Sequence, residues 1–248
     1  MSGPLGQAVD DELIQTNPAS GVLARLRINK DQRRTLDPLT GEEVGKFLFT
    51  CRRFYPEWHT FYLAAFRTGM RLGELLGLQW GDIDFNSKFI HVQRSYKSHR
   101  LSTPKNGKGR RVDMSDMLVT ALDQKLTKSK KETLREGQKM VDFIFHRNRK
   151  PIAQNSVRNT YKKILAKAGL RQIRFHDIRH TFATLLLSQG ERPVYVKEQL
   201  GHHSIQMTVD VYGHLIPGAN RGAVNRLDEN ATIRNLSAIT ENRKAATH

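Results

Sequence analysis

The stretch FHDIRHTFATLLLSQGERPVYVKEQLGHHSIQMTVDVYGH, residues 175–214, decides what the rest of the chain has to supply. Its spacing predicts a helix over about 175–189, with an apolar stripe on one side. His176, Arg179 and His180 share the opposite side of that helix. A histidine and an arginine on one open face suit an anionic oxygen, because a guanidinium can hold such an oxygen with two hydrogen bonds.

The second half of this stretch ends in a single tyrosine, Tyr212, within the sequence VDVYGH. Before it, Pro193 is expected to begin a helix that Gly201 ends, and residues 204–211 are expected to form a further short helix. A phenol with an ordinary pKa of about 10 is a poor nucleophile until neighbouring cations or a base draw off its proton. Taken alone, a tyrosine in this sequence is more often a half-buried packing residue.

Two segments upstream offer more positive charge. In TGMRLGEL, residues 68–75, Arg71 follows a helix-ending glycine, and Glu74 stands one turn on, where it would hold the guanidinium. The alternative is an ordinary surface ion pair. The segment YKSHRLSTPKNGKGRR, residues 96–111, contains six lysines and arginines and no acid, and is expected to be a loop. Such a loop suits a phosphate backbone, and a solvated basic turn is the alternative.

The remaining pattern predicts a mainly helical α+β domain that begins near Leu39. Thr40 and Glu43 form a capping box for a helix to about Arg53. Further helices are expected over about 56–68, 71–76, 115–131, 154–168 and 219–230, with one helical turn over 10–15. Period-two runs near residues 83–85, 90–92 and 110–114 predict a small antiparallel sheet of three strands.

The composition narrows the class of partner. The 248 residues contain 41 Lys and Arg against 24 Asp and Glu, a net charge of +17 with neutral His, so a polyanion is the expected partner. A single cysteine excludes an intramolecular disulfide framework and fits a reducing compartment. No apolar run is long enough to span a bilayer, and no signal-peptide order is seen, so we expect a cytoplasmic protein.

Four blocks together resemble the active-site segments of the tyrosine recombinase (phage integrase) family. They are TGMRLGEL, the lysine of TPKNGKGRR, FHDIRHTFAT and LGHHSIQMTVDVYGH, in that family's order. The resemblance implies that family's DNA breaking-rejoining catalytic fold over residues 38–217. Residues 1–37 would then be a stub and linker from a missing core-binding domain, and residues 218–248 a C-terminal helix and tail.

The family's chemistry implies a role for each matching residue. Tyr212 would attack the scissile phosphate and form a 3′-phosphotyrosyl link, without ATP or a metal. Arg71 and Arg179 would hold the non-bridging oxygens. Lys105 would donate a proton to the leaving 5′-oxygen. His176 would assist proton transfer at the tyrosine, and His202 would form a hydrogen bond to the phosphate. Lys108 is an alternative to Lys105, and His203 to His202.

The expected function is therefore site-specific DNA recombination, with double-stranded DNA as partner, a homotetramer on DNA and mainly a monomer without it. The resemblance implies no cofactor. Two alternatives remain: a non-catalytic DNA-binding protein of the same fold, and a zinc hydrolase that uses His176 and His180 of HDIRH as ligands. An arginine on the same face would repel a divalent cation.

Overall fold

A computed structural model describes residues 4–18, 37–103, 109–202, 204 and 212. The chain divides into two compact units, Met1–Leu36 and Asp37–His248. In the first unit, helix α1 spans Pro4–Asp10. The helical turn expected over 10–15 is wrong, because the helix precedes this segment and the backbone at Glu12 has a φ of 57°. A left-handed residue cannot continue a right-handed helix.

The second unit opens with three helices, α2 at Gly41–Phe54, α3 at Pro56–Thr68 and α4 at Leu72–Leu76. The expected capping box is present at the start of α2. The Thr40 hydroxyl accepts from the Glu43 backbone N–H at 3.2 Å, and the Glu43 carboxylate accepts from the Thr40 N–H at 2.8 Å. A 3₁₀ turn at Trp80–Asp82 leads into the strands.

Five short strands follow: β1 at Ile83–Asp84, β2 at Phe89–Val92, β3 at Ser95–Lys97, β4 at Arg100–Ser102 and β5 at Arg110–Asp113. The expected three-stranded antiparallel sheet has the order β1-β2-β5. The loop expected over 96–111 is wrong in its first part, where β3 and β4 pair as a hairpin. Ser98 and His99 take positive φ values of 49° and 61° there, the conformation of a tight two-residue hairpin turn.

The remaining elements are helix α5 at Asp116–Glu136, the paired strands β6 at His146–Arg147 and β7 at Lys150–Pro151, and helices α6 at Gln154–Lys167, α7 at Asp177–Ser188 and α8 at Pro193–Leu200. Helix α5 ends later than expected, because Gly137, with a φ of 63°, supplies the stop rather than the lysines near 131. Apart from Ser204, the helices expected over 204–211 and 219–230 lie outside the described residues.

Helix α3 lies at the centre, in contact with α2, α5 and α7. An aromatic cluster fills the space between these helices and α6, and its members are all nearly fully buried: Phe47, Phe61, Tyr62, Tyr161 and Phe175. The Tyr62 hydroxyl donates to the Val157 carbonyl at 2.7 Å and so joins α3 to α6. The architecture is mainly helical with a small antiparallel sheet, as expected. No helix within the described ranges is long and apolar enough to cross a membrane.

Candidate active site

Arg71 stands at the junction between α3 and α4. Helix α3 ends at Gly69, whose φ of 58° turns the chain so that Arg71 caps the next helix. The buried Glu74 carboxylate accepts from the Arg71 backbone N–H and from its Nη1, each at 2.9 Å. The Arg71 side chain keeps 31% of its surface exposed, so its guanidinium is held in place and still faces solvent.

A second arginine, Arg110 of β5, binds the same carboxylate. Its Nη1 and Nη2 donate to the two Glu74 oxygens at 2.9 and 2.8 Å, and its Nε donates to the Gln199 carbonyl at 2.9 Å. The sequence places Arg110 both among the cations of the 96–111 segment and at the start of the third strand, but it does not indicate this role. The signal was available, because strand alternation puts Arg110 on the same face as the buried Val112.

Arg179, on α7, is almost completely buried. Its Nη1 donates to the Gly69 carbonyl at 2.8 Å, and its Nη2 donates to the Leu200 carbonyl. These contacts tie α7 to the ends of α3 and α8. Burial first, and the nearby Arg71 charge second, lower the pKa of Arg179 to about 9, so the guanidinium remains protonated at neutral pH.

The balance of charge at this point of the molecule is positive. Glu74 is held by two arginines and Arg179 is bound to backbone carbonyls, so three guanidinium groups face one carboxylate. Burial alone would raise the pKa of Glu74, but the hydrogen bonds and charge of Arg110, followed by those of Arg71, lower it. The cluster therefore carries an excess of two positive charges, which suits an anion such as a phosphodiester.

His202 follows the left-handed Gly201 that ends α8. The Gly201 carbonyl lies 3.5 Å from the Arg71 Nη2, which brings this turn to the arginine cluster. Burial, and then the charges of Arg179 and Arg71, lower the pKa of His202 to about 4. A neutral imidazole at physiological pH can donate a hydrogen bond to an anionic oxygen without adding charge.

Tyr212 is buried, with 2% of its surface exposed. Its hydroxyl lies 2.5 Å from the Nδ1 atom of His180, on α7. Sequence reasoning assigned proton transfer at Tyr212 to His176 and left His180 out. The site assignment of His176 stays a prediction: its ring packs edge-on against the His180 ring, with centroids 5.3 Å apart.

Burial keeps the Tyr212 phenol protonated in the structure without DNA. It raises the pKa of Tyr212 well above its ordinary value, and the opposing charge of Arg179 does not cancel that effect. The His180 pKa is lowered to about 4, by burial first and the His176 charge second. A neutral imidazole is therefore in hydrogen-bond contact with a protonated phenol, and these two pKa shifts keep the proton on the Tyr212 oxygen in this structure.

Lys105 and its alternative Lys108 lie outside the described residues, as does His203. Four of the expected site residues lie near one another, namely Arg71, Arg179, His202 and Tyr212. His176 lies beside them at the start of α7. Within the described part of the chain, no three His, Cys, Asp or Glu side chains group as metal ligands. His180 is instead in contact with the tyrosine hydroxyl, an arrangement that does not favour the zinc-hydrolase alternative.

Residues 38–217 match the sequence model of the phage integrase family. The chain is 33% identical to the ICEBs1 integrase of Bacillus subtilis (strain 168) over 230 residues, which cover 90% of this chain and 61% of that protein. It is 30% identical to a tyrosine recombinase XerC-like protein of Caldanaerobacter subterraneus subsp. tengcongensis over 244 residues, covering 90% of this chain and 62% of that protein. The chain therefore spans about three fifths of these relatives.

Solved structures show the same fold. The Tn1549 transposon integrase in complex with a circular intermediate DNA aligns with a TM-score of 0.70 and 22% identity, over 90% of this chain and 74% of that chain. The XerA recombinase aligns with a TM-score of 0.59 and 24% identity, over 79% of this chain and 64% of that chain. The fold expected from the sequence is thereby confirmed.

Proposed function

The chain belongs to the phage integrase family, and on that premise we propose that it breaks and rejoins double-stranded DNA at specific sites through a covalent bond to Tyr212. The observation that carries the proposal is that Tyr212 lies close enough to the arginine cluster for the Arg179 charge to lower its pKa against the effect of burial. Arg71 and Arg179 come from helices 108 positions apart in the chain, and the Arg179 charge acts on both Arg71 and Tyr212.

In the proposed reaction, the Tyr212 oxygen attacks the scissile phosphorus and the bond from phosphorus to the 5′-oxygen breaks. The electron pair leaves with the 5′-oxygen, which takes up a proton to become a hydroxyl. The DNA keeps a 3′-phosphate esterified to the tyrosine, so the energy of the phosphodiester is retained and no ATP is needed. A 5′-hydroxyl of another strand reverses these steps and rejoins the DNA.

The arginines would act where charge grows. In the pentacoordinate transition state the non-bridging oxygens carry more negative charge, and fixed guanidinium groups stabilise it without reorganising. Glu74 and the backbone carbonyls of Gly69 and Leu200 already hold Arg71 and Arg179 in place. His202 would add a hydrogen bond to the same phosphate. Lys105 remains the proposed proton donor to the 5′-oxygen.

The tyrosine would need its proton removed and its hydroxyl uncovered. Tyr212 is protonated and buried against His180 in the structure without DNA, so DNA binding would have to expose it. His180 would be a second proton acceptor beside His176, since its neutral ring is already in contact with the hydroxyl. Both histidines are included in the proposal for that reason.

The proposed partner is double-stranded DNA, consistent with the net charge of +17. A homotetramer would assemble on the DNA, while the free protein would be mainly monomeric, and its place of action would be the cytoplasm. Light scattering of the free protein is expected to give the monomer mass. A stable tetramer without DNA would contradict this part of the proposal.

The test of function is formation of a covalent protein–DNA adduct. A nicked duplex carrying the attachment sequence beside the encoding gene would be incubated with the protein and resolved on a denaturing gel. Wild type should form an adduct that survives SDS, and Tyr212→Phe should form none. If wild type binds this DNA without forming an adduct, the non-catalytic alternative is correct. If Tyr212→Phe still forms the adduct, another residue is the nucleophile.

A further inference from the structure

A cavity of about 440 Å³ lies next to the arginine cluster, on the side of His176. Part of its wall is the site already described, namely Arg71, His176 and Arg179. The rest of its wall comes from α6, from the segment before α7, and from Met70 and Leu72 on either side of Arg71. The volume exceeds what one phosphate group needs, so the cavity has room for an occupant that extends beyond the scissile phosphate.

The cavity wall contains five lysines and arginines and no carboxylate: Arg71, Arg158, Lys162, Arg174 and Arg179. Arg174 is paired with Asp177, which lies outside the wall. Arg158 and Lys162 have no ion-pair partner among the described residues, and the Arg158 guanidinium donates a hydrogen bond to the neutral side chain of Gln154, at 3.3 Å. These two cations are therefore available to a ligand.

Arg158 and Lys162 are four residues apart on α6, so their side chains lie on the same face of the helix. Two like charges at this spacing destabilise a helix, and no described acid offsets them. A bound anion would offset them. Tyr161, between them in sequence, also lines the cavity.

We propose that this cavity is a second phosphate subsite, in which Arg158 and Lys162 bind a backbone phosphate of the cleaved strand next to the scissile one. The inference rests on the proposed function and adds to it the path of the strand across α6. Such a subsite would position the cleaved strand, because two phosphates held at fixed points define the direction of the strand through the arginine cluster. Tyr212 would then meet the scissile phosphorus in one orientation.

The first measurement is the salt dependence of DNA binding. Each phosphate contact contributes about 0.9 to the slope of log affinity against log salt concentration. In a Tyr212→Phe background, Lys162→Ala should lower the magnitude of that slope by about 0.9, so that its affinity defect relative to the parent shrinks about 3.5-fold between 50 and 200 mM salt. Lys163→Ala is the matched control, because Lys163 is the next residue on α6, is also exposed and does not line the cavity.

The second measurement locates the contact on the DNA. Single methylphosphonates, which are uncharged, would replace each phosphate flanking the cleavage site in turn. At one position the methylphosphonate should lower the DNA affinity of both the parent and Lys163→Ala. The double variant Arg158→Gln, Lys162→Ala should bind this modified DNA as well as it binds unmodified DNA, because the contact is already missing. Equal slopes for Lys162→Ala and Lys163→Ala, or additive losses at every position, would overturn the subsite. A wild-type protein that forms no adduct on this DNA would overturn the proposed function instead, so the two failures are distinguishable.

Discussion

Glu74→Gln is the most informative single change in the protein. The carboxylate is almost fully buried and accepts four hydrogen bonds, from the Arg71 N–H, Arg71 Nη1, Arg110 Nη1 and Arg110 Nη2, at 2.8 to 2.9 Å. Glutamine has the same shape, but its amide nitrogen is a donor that faces guanidinium donors. The substitution removes the negative charge between two cations and the two hydrogen bonds accepted by the oxygen that is replaced.

The size of the effect follows from how well water can reach each partner. Removing one member of a buried ion pair typically costs about 3–5 kcal/mol, because the other charge is left uncompensated. The side chain of Arg110 is only 13% exposed and would suffer most of that loss, whereas that of Arg71 is 31% exposed and can be rehydrated in part. We therefore expect a loss of about 2–4 kcal/mol in the free energy of unfolding. Adduct formation should also fall, since Arg71 would lose the partner that orients it.

The assay is urea unfolding at pH 7.5, followed by fluorescence, with adduct formation measured on the same samples under native conditions. Glu132→Gln is the matched control. Its carboxylate is 59% exposed and lies 3.8 Å from Lys128, a surface pair worth less than about 1 kcal/mol. If Glu74→Gln and Glu132→Gln unfold at the same urea concentration, the view that Glu74 binds the cluster together is refuted.

Two further predictions concern backbone geometry and pH. Gly69→Ala should lower the free energy of unfolding by about 2–4 kcal/mol in urea, because Gly69 has a φ of 58° and an added Cβ would lie 2.5 Å from the Phe182 ring. Gly45→Ala is the control, since Gly45 occupies an open helical position where a Cβ should not destabilise the protein. Equal shifts for the two variants would contradict the steric argument. Wild type should lose stability as the pH falls from about 6.5 towards 4, since His180 has a folded pKa of about 4 and protons then bind the unfolded chain preferentially. His180→Asn should show a smaller loss between pH 7.5 and 5, and an unchanged pH dependence would contradict that assignment.

Sequence reasoning succeeded where one local rule decides the structure. The capping box at Thr40 and Glu43, the stop at Gly69 and the period-two runs of the three-stranded sheet each depend on residues a few positions apart. The contact between Arg71 and Glu74 was predictable for the same reason, since the two side chains are one helical turn apart. These features required no knowledge of how distant segments pack.

The errors arose where tertiary contacts or turn conformations override composition. The polar and charged residues of the β3–β4 segment predict a loop, yet a two-residue turn at Ser98 and His99 closes them into a hairpin. The charge pattern groups Arg110 with the cations of the 96–111 segment as well as with the third strand, and neither pattern indicates that its guanidinium binds Glu74, 36 residues away. His180 was seen on the correct helix face, but its contact with Tyr212 depends on where a later segment packs, which spacing cannot indicate.

The way Arg110 supports Gly201 has a practical consequence for protein engineering. A Cβ at Gly201 would lie 2.8 Å from the Arg110 Cδ, so the turn that carries His202 rests directly on a side chain from the sheet. A chimera that takes residues 175–217 from one relative and the preceding domain from another must therefore keep glycine and arginine at these two positions together. An exchange boundary placed just before residue 175 would separate Arg110 from Gly201. Shuffled libraries should therefore take both residues from the same parent.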